Sequence, residues 1–240
     1  MSEVMIIIIV SLVAYFIGNI SPSTIMAKSR GLDIKKEGSG NAGTTNALRV
    51  MGKKAGAITL IVDICKGILA VLIGALAAGD LGAMASALCV FIGHVWPLVY
   101  KFKGGKGVAT AFGALLAINP LMALIDLVIV IICVLITKRM SVGSIVGSIL
   151  FPILAVFMEP QFVWIAILMA VILVVNHRAN ISRLFKGEEP KMSIFDKKKD
   201  AGNGGGDGDG VGSDDSVAAG DSESDGGNSN GDGDSDRKDS

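Results

Sequence analysis

The 240-residue chain is sparing with the residues that build covalent frameworks and metal sites: it has three cysteines and two histidines. Cys65, Cys89 and Cys133 each lie inside an apolar run. Three thiols at such depth form no disulfide framework, and no Cys/His spacing matches a zinc site, so they read as small apolar fillers. Neither histidine opens an HxxxxD motif, because Val99 and Ser182 stand five positions after His94 and His177. No basic segment precedes the first apolar run, whose first charge is Glu3, and no small-x-small cleavage site follows it. That run therefore reads as a membrane helix and not as a signal peptide. No internal repeat is visible, and nothing resembles an adenine pocket or a Rossmann unit.

What the chain has is apolar length. Half of its residues are hydrophobic and the mean hydropathy is +0.59. The apolar residues come as long runs at 4–27, 55–78, 83–100, 108–118, 121–137, 142–157 and 162–175. A bilayer core of roughly 30 Å needs about 20 such residues per helix. The expected fold is all-α: a polytopic membrane bundle of about seven transmembrane helices. The run 108–118 is too short to cross alone. It extends back through the glycines before it, or enters as a half-helix packed on protein.

Charge orients the bundle. Lys28, Arg30, Lys35, Lys36, Arg49, Lys53 and Lys54 follow the first run; Lys101, Lys103 and Lys106 follow the third. Lys138 and Arg139 follow the fifth, and Arg178, Arg183, Lys186 and Lys191 the seventh. The intervening loops carry Asp80, Asn119-Pro120 and Glu159-Pro160 with no base. Lys and Arg in short loops mark the cytoplasmic side, which puts the N-terminus outside and every polar cluster on the cytoplasmic face. The localisation expected is a multi-pass protein of the cell's inner membrane.

The net charge of zero averages two unlike parts. Residues 200–240 hold twelve acids and two bases, which leaves ten acids and twenty bases in residues 1–199. The basic body suits an anionic substrate or anionic lipid headgroups, as well as fixing topology. Two domains are expected: a membrane domain at 1–195 and a Gly/Asp/Ser-rich cytoplasmic tail at 196–240. The tail has too little apolar content to bury a core and should be disordered. Asp221, Glu223 and Asp225 fit the start of a calcium loop, but position twelve is Asp232 and no helices flank it.

Two glycine-rich runs carry the chemistry. The first is Gly38-Ser39-Gly40-Asn41-Ala42-Gly43-Thr44-Thr45-Asn46-Ala47-Leu48-Arg49. Glycines let backbone N–H groups converge on an anion, and Arg49 adds a planar permanent charge. The G-x-G-x-x-G spacing within it, with Asp63 further on, lacks the strand that a dinucleotide fingerprint requires. The second run, Lys103-Gly104-Gly105-Lys106-Gly107, resembles a P-loop fragment. Gly107 stands where a magnesium-binding Ser/Thr would be, which excludes nucleotide hydrolysis. A lysine among glycines still reaches a phosphate unhindered. The plain alternatives are a connector and a topogenic lysine cluster, and they leave the packed polar residues and the glycines around Lys106 without a reason.

The remaining polar residues sit near the ends of apolar runs or within them. His177 and Asn180 are three apart and should share a helix face. Ser141 and Ser144 follow Lys138-Arg139; they line the same site or cap and pack their helix. Asp63 and Lys66, one turn apart inside an apolar run, read as a self-neutralising pair. Asp126 has no local partner and is expected near the outer rim or bonded to another helix. His94 reads equally as a structural and as a functional residue.

Together, Gly38 to Asn46 with Arg49, then Gly93-His94-Val95-Trp96-Pro97 leading to Phe102-Lys103-Gly104-Gly105-Lys106-Gly107, then Asn176-His177 with Asn180, resemble the bacterial acyl-phosphate:glycerol-3-phosphate acyltransferases over residues 1–195. The acidic tail is not part of that pattern. The resemblance implies a seven-helix enzyme of phospholipid synthesis. It would move an acyl group from acyl phosphate to the 1-hydroxyl of glycerol 3-phosphate, giving lysophosphatidate and inorganic phosphate. It implies catalytic roles for Ser39, Arg49, Lys106, His177 and Asn180. It places Gly40, Asn41, Gly43, Thr45, Asn46, Gly104, Gly105, Gly107, Ser141 and Ser144 at the substrates. No cofactor, metal or nucleic acid is implied. The partners would be the two substrates, membrane lipids and an enzyme that hands over acyl phosphate to a monomer. The rival readings are a transporter for organic phosphates, which polar motifs on one face and the absence of a repeat disfavour, and a non-catalytic scaffold, which leaves the glycine runs unexplained.

Overall fold

The computed structural model describes residues 2–192; the expected domain boundary at 196, the acidic tail and its calcium-loop fit lie outside the described residues. Among the described residues nine α-helices follow one another: α1 Glu3–Gly18, α2 Pro22–Ser29, α3 Thr44–Met51, α4 Lys53–Val95, α5 Val108–Ile118, α6 Pro120–Thr137, α7 Met140–Met158, α8 Val163–Asn176 and α9 Arg178–Phe185. Among the described residues there is no strand.

The helix ends follow local chemistry. Pro22 opens α2 with Ser21 extended before it, so the first apolar run is two helices and not one. Pro120 opens α6, and Asn119 caps it by accepting a hydrogen bond from the Met122 amide at 3.0 Å. The 43-residue α4 would be about 65 Å long if straight, twice a bilayer core. It breaks at Ala78 and at Gly79, whose φ is 57°. Gly74 and Gly82 then face each other: a Cβ on Gly74 would lie 2.7 Å from the Gly82 carbonyl carbon. Residues eight apart on one helix cannot touch, so α4 doubles back as two arms, residues 53–77 and 80–95.

Among the described residues four helical stretches are long and apolar enough to cross a membrane: Glu3–Ser29, Lys53–Tyr100, Pro120–Thr137 and Met140–Met158. The pair Pro160–Asn176 and Arg178–Phe185, bent by 55°, makes a fifth if taken as one span. The eleven-residue α5 reaches about half a bilayer core.

Large side chains such as Leu76, Phe157 and Trp164 face outward, while Ala14, Ala70, Ala87, Ala114, Ala123, Ala155 and Ala166 are buried. That inversion suits lipid, where helices associate by close packing of small residues and not by hiding apolar surface. Gly18 of α1 faces Gly93 and His94 on the second arm of α4, with 2.9 Å between its absent Cβ and the Gly93 Cα. Gly67 on the first arm faces Ala114 of α5, and Gly143 and Gly147 of α7 face Val130 of α6. Asp126 lies against Gly147, and its Oδ1 has no hydrogen-bond partner among the described residues.

The base-rich loops meet at one end. Lys35 Nζ donates to the Tyr100 carbonyl at 3.3 Å, Lys106 bonds Asn180, Arg139 Nε donates to the Glu189 carbonyl at 3.0 Å, and the Met192 amide donates to the Lys138 carbonyl at 2.9 Å. Elsewhere Asn119 Nδ2 joins Glu159 Oε1 at 2.9 Å, linking two of the base-free loops.

Gly93→Val puts a branched side chain where the Tyr15 backbone already sits. The variant should lose about 1–3 kcal/mol of stability or fail to assemble, read as a lower midpoint of thermal unfolding in detergent; an unchanged midpoint would show that α1 does not pack on α4 as described.

Candidate active site

The first glycine run forms the loop between α2 and α3. Gly38 and Gly40 have φ of 59° and 70°, which glycine adopts at no steric cost. Asn46, 1% exposed, organises this loop. Its Oδ1 accepts the Ser39 amide at 2.8 Å, and its Nδ2 donates to the carbonyls of Glu37 at 3.0 Å and Ile34 at 3.2 Å. Its amide is thus occupied inside the loop, where the sequence suggested a substrate contact. From below, Ser23 Oγ of α2 donates to the Ala42 carbonyl at 2.6 Å. Ser39 and Gly40 are exposed at the turn; Asn41, Gly43 and Thr45 are half-buried. Gly43 precedes α3, and no side chain caps that helix. Arg49 lies one turn beyond Asn46 on α3 and is exposed.

The second run folds back on the end of α4. The Gly104 amide donates to the Val95 carbonyl at 3.1 Å and the Gly105 amide to the His94 carbonyl at 3.2 Å. A Cβ on Gly105 would strike the His94 ring, and one on Gly107 the Phe91 ring, 2.7 Å from its Cδ2. These glycines let the strap lie flat, and Lys106 projects from it half-buried.

Lys106 Nζ donates to Asn180 Oδ1. Asn180 Nδ2 in turn donates to Glu189 Oε1 at 2.6 Å, and Arg183 Nε donates to Glu189 Oε2 at 2.7 Å. Burial lowers the Lys106 ammonium to about 8; Glu189 opposes that, and the charges of Arg183 and Arg49 reinforce it. The charge of Arg49 is thus close enough to be felt at the Lys106 ammonium. Burial would raise the Glu189 carboxyl, but the hydrogen bonds from Asn180 and Arg183, with Ser141 close by, outweigh it and hold the group below its ordinary value. Glu189, 8% exposed, was not among the residues the sequence singled out. Its signal was there: Glu188 and Glu189 interrupt a stretch that is otherwise basic from Arg178 to Lys191.

His177, 2% exposed, closes α8. It does not share one continuous helix with Asn180, as the spacing suggested: the chain bends 55° between α8 and α9, with His177 at the break and Asn180 in the first turn of α9. The ring Nδ1 lies 2.8 Å from the Leu173 carbonyl. A carbonyl only accepts, so Nδ1 carries the proton and the neutral ring keeps its lone pair on Nε2. Ser141 faces Glu189. Ser144 Oγ bonds back to the Met140 carbonyl at 3.0 Å within its own helix, the packing role that the sequence left open.

Asp63 and Lys66 are paired at 2.7 Å, as their spacing suggested, and His94 joins them. Between α7 and α8 runs an apolar groove of about 330 Å³, lined by Ser148, Ile149, Pro152, Ala170 and Val174 among others, and ending at Val175 two residues before His177.

Known proteins resemble this chain in sequence and in fold. A family model described as "Glycerol-3-phosphate acyltransferase" matches residues 8–187. A glycerol-3-phosphate acyltransferase of Clostridioides difficile (strain 630) is 46% identical over 193 residues, covering 77% of this chain and 95% of the relative. That of Thermoanaerobacter sp. (strain X514) is 43% identical over 188 residues, with coverage of 77% and 95%. The crystal structure of PlsY (YgiH), an integral membrane glycerol 3-phosphate acyltransferase, in its glycerol 3-phosphate form superposes with a TM-score of 0.76 at 30% identity, covering 80% of this chain and 99% of that one. Its lysophosphatidic acid form gives 0.73 at 31% identity, covering 79% and 98%. The chain belongs to the glycerol-3-phosphate acyltransferase family.

Proposed function

We propose that the chain transfers an acyl group from an acyl phosphate to the 1-hydroxyl of glycerol 3-phosphate, releasing lysophosphatidate and inorganic phosphate. The observation that carries this is the gathering of Lys106, Arg49 and Arg183 with Asn180 and Glu189 at the end of the bundle where both glycine loops lie. Both substrates are phosphates, so the site must offset several negative charges. Arg49 grips one phosphate bidentately and Lys106 supplies a point charge. Ser39 and the N–H groups of Asn41, Gly43 and Thr45 complete the first cradle, Gly40 turning the loop while its own N–H donates to the Glu37 carbonyl at 3.0 Å, and Gly104, Gly105 and Gly107 flank Lys106 in the second. Ser141 and Asn180 shape the wall behind Lys106.

The hydroxyl oxygen of glycerol 3-phosphate attacks the acyl carbonyl carbon. The carbon–oxygen bond to phosphate breaks, and phosphate leaves with that bond's electron pair. The mixed anhydride is already activated, so holding the two substrates together supplies much of the catalysis. The hydroxyl proton passes to His177 Nε2 or to the departing phosphate; either acceptor closes the balance. The acyl chain lies in the apolar groove between α7 and α8, where each buried CH₂ contributes about 0.8 kcal/mol.

In this reading the two arms of α4 cross separately, and α5, packed on the first arm and extended by the glycine strap before it, brings the membrane crossings to seven, with the N-terminus outside and the base-rich end in the cytoplasm, as charge asymmetry favours. The enzyme works in the inner membrane as a monomer, needs no cofactor, and receives acyl phosphate from an enzyme that forms it. The catalytic domain is assigned to residues 1–195.

Detergent-purified protein should convert glycerol 3-phosphate and palmitoyl phosphate to lysophosphatidate and inorganic phosphate, and make little product from palmitoyl-CoA. No acyl transfer from the phosphate donor, with substrate movement into liposomes instead, would overturn the enzyme reading.

Arg49→Lys should lower kcat/KM for glycerol 3-phosphate at least about tenfold, because a point charge does not replace a bidentate fork; near-normal turnover of the purified variant removes Arg49 from the site.

Lys106, with a value of about 8, loses its charge as pH rises through that point. Plotted on logarithmic axes, kcat/KM for glycerol 3-phosphate should therefore fall above it with a slope of about −1. Lys106→Arg keeps its charge and should shift that limb upward; an unmoved limb would assign it to another group.

A further inference from the structure

Lys66 is 4% exposed, yet its ammonium has four acceptors in reach. These are Asp63 Oδ1, His94 Nδ1 and the Ile20 carbonyl, each at 2.7 Å, and the Gly18 carbonyl at 3.2 Å. A salt bridge that merely neutralised Lys66 would need Asp63 alone. Here three separate segments converge instead: Asp63 and Lys66 on the first arm of α4, His94 at the end of its second arm, and the carbonyls where α1 gives way to α2.

Each of the outer partners leads to one glycine loop. Three residues beyond Ile20, Ser23 Oγ donates to the Ala42 carbonyl at 2.6 Å, inside the first loop. The His94 carbonyl accepts the Gly105 amide at 3.2 Å, and the His94 ring fills the space that a Gly105 Cβ would take, beside Lys106.

We infer that the buried Asp63–Lys66–His94 cluster is a positioning device that sets the separation of the two glycine loops, and with it the alignment of the two bound phosphates. The inference rests on the proposal that both loops hold phosphate. Lys66 touches neither substrate; it acts through the Ile20 carbonyl on one side and through His94 on the other. Loss of this alignment slows the chemical step more than it weakens binding of either substrate, because each loop keeps its own donors while the pair loses its near-attack geometry.

The test compares full-length wild type, Lys66→Met, His94→Ala and the double variant, purified in detergent and assayed with glycerol 3-phosphate and palmitoyl phosphate per mole of monodisperse protein. Each single variant should lose about tenfold or more in kcat with KM for glycerol 3-phosphate changed by less than about threefold. The double variant should fall less than about threefold below the worse single one, since both act on one linkage. Wild-type kcat in the folded variants, losses confined to KM, or penalties that multiply would each overturn the inference. Should Lys66→Met not purify as a monodisperse species, His94→Asn decides. It keeps an acceptor near the Nδ1 position for Lys66 but withdraws the ring from Gly105. A kcat loss at steady KM supports the linkage, and wild-type kcat overturns it. Wild-type protein inactive with the acyl phosphate overturns both this inference and the function beneath it, whereas an active wild type beside indifferent variants overturns the linkage alone.

Discussion

Lys106 holds an ammonium half-buried among helix ends, and a charge in that position is costly unless its donors are taken up. Asn180 accepts from it, Glu189 accepts from Asn180, and Arg183 closes the chain on the carboxylate. The same glutamate ties its backbone to Arg139 of the loop before α7. One lysine on a glycine strap thus fixes how the end of α8, the whole of α9 and the loop between α6 and α7 meet. The excess of positive charge left by Lys106, Arg49 and Arg183 over Glu189 is what a phosphate dianion would answer.

The membrane explains why such a site can be built from so few residues. Helices that pack through Gly18 on Gly93, Gly67 on Ala114 and Gly74 on Gly82 approach closely and hold their ends in register. Polar groups then concentrate where the helices stop. The two glycine loops are tied down differently, the first by the side chains of Ser23 and Asn46 and the second by backbone hydrogen bonds to the end of α4, and both hold their N–H groups and bases in place.

Much of this was legible in the sequence because lipid permits few solutions. The run 108–118 is α5 to the residue, and 121–137 and 142–157 lie within one or two residues of α6 and α7. The glycine runs, Lys106, His177 and Asn180 announced themselves by composition. What stayed hidden were partners distant in sequence. Glu189 looked like one acid among many bases, and its bonds to Asn180 and Arg183 exist only because the chain turns back on α9 at Gly187. Asn46 carried the composition of a ligand-binding residue, yet its amide is consumed within its own loop. The break at Ser21 falls within Gly18-Asn19-Ile20-Ser21-Pro22-Ser23-Thr24, a polar interruption that the reading of 4–27 as one apolar run passed over. Asp63 and Lys66 were readable as a pair by helical spacing; that His94 completes them depends on α4 doubling back.

The central claim is that Lys106 is an anion-binding pole of the site and not a lysine that merely orients the chain in the membrane. An amine reagent such as trinitrobenzenesulfonate, followed by peptide mass spectrometry, reads it directly at a pH near 8. Glycerol 3-phosphate should slow modification of Lys106 selectively while the exposed Lys101 and Lys103 label as before. Modification of Lys106 at the same rate with and without glycerol 3-phosphate would contradict the account.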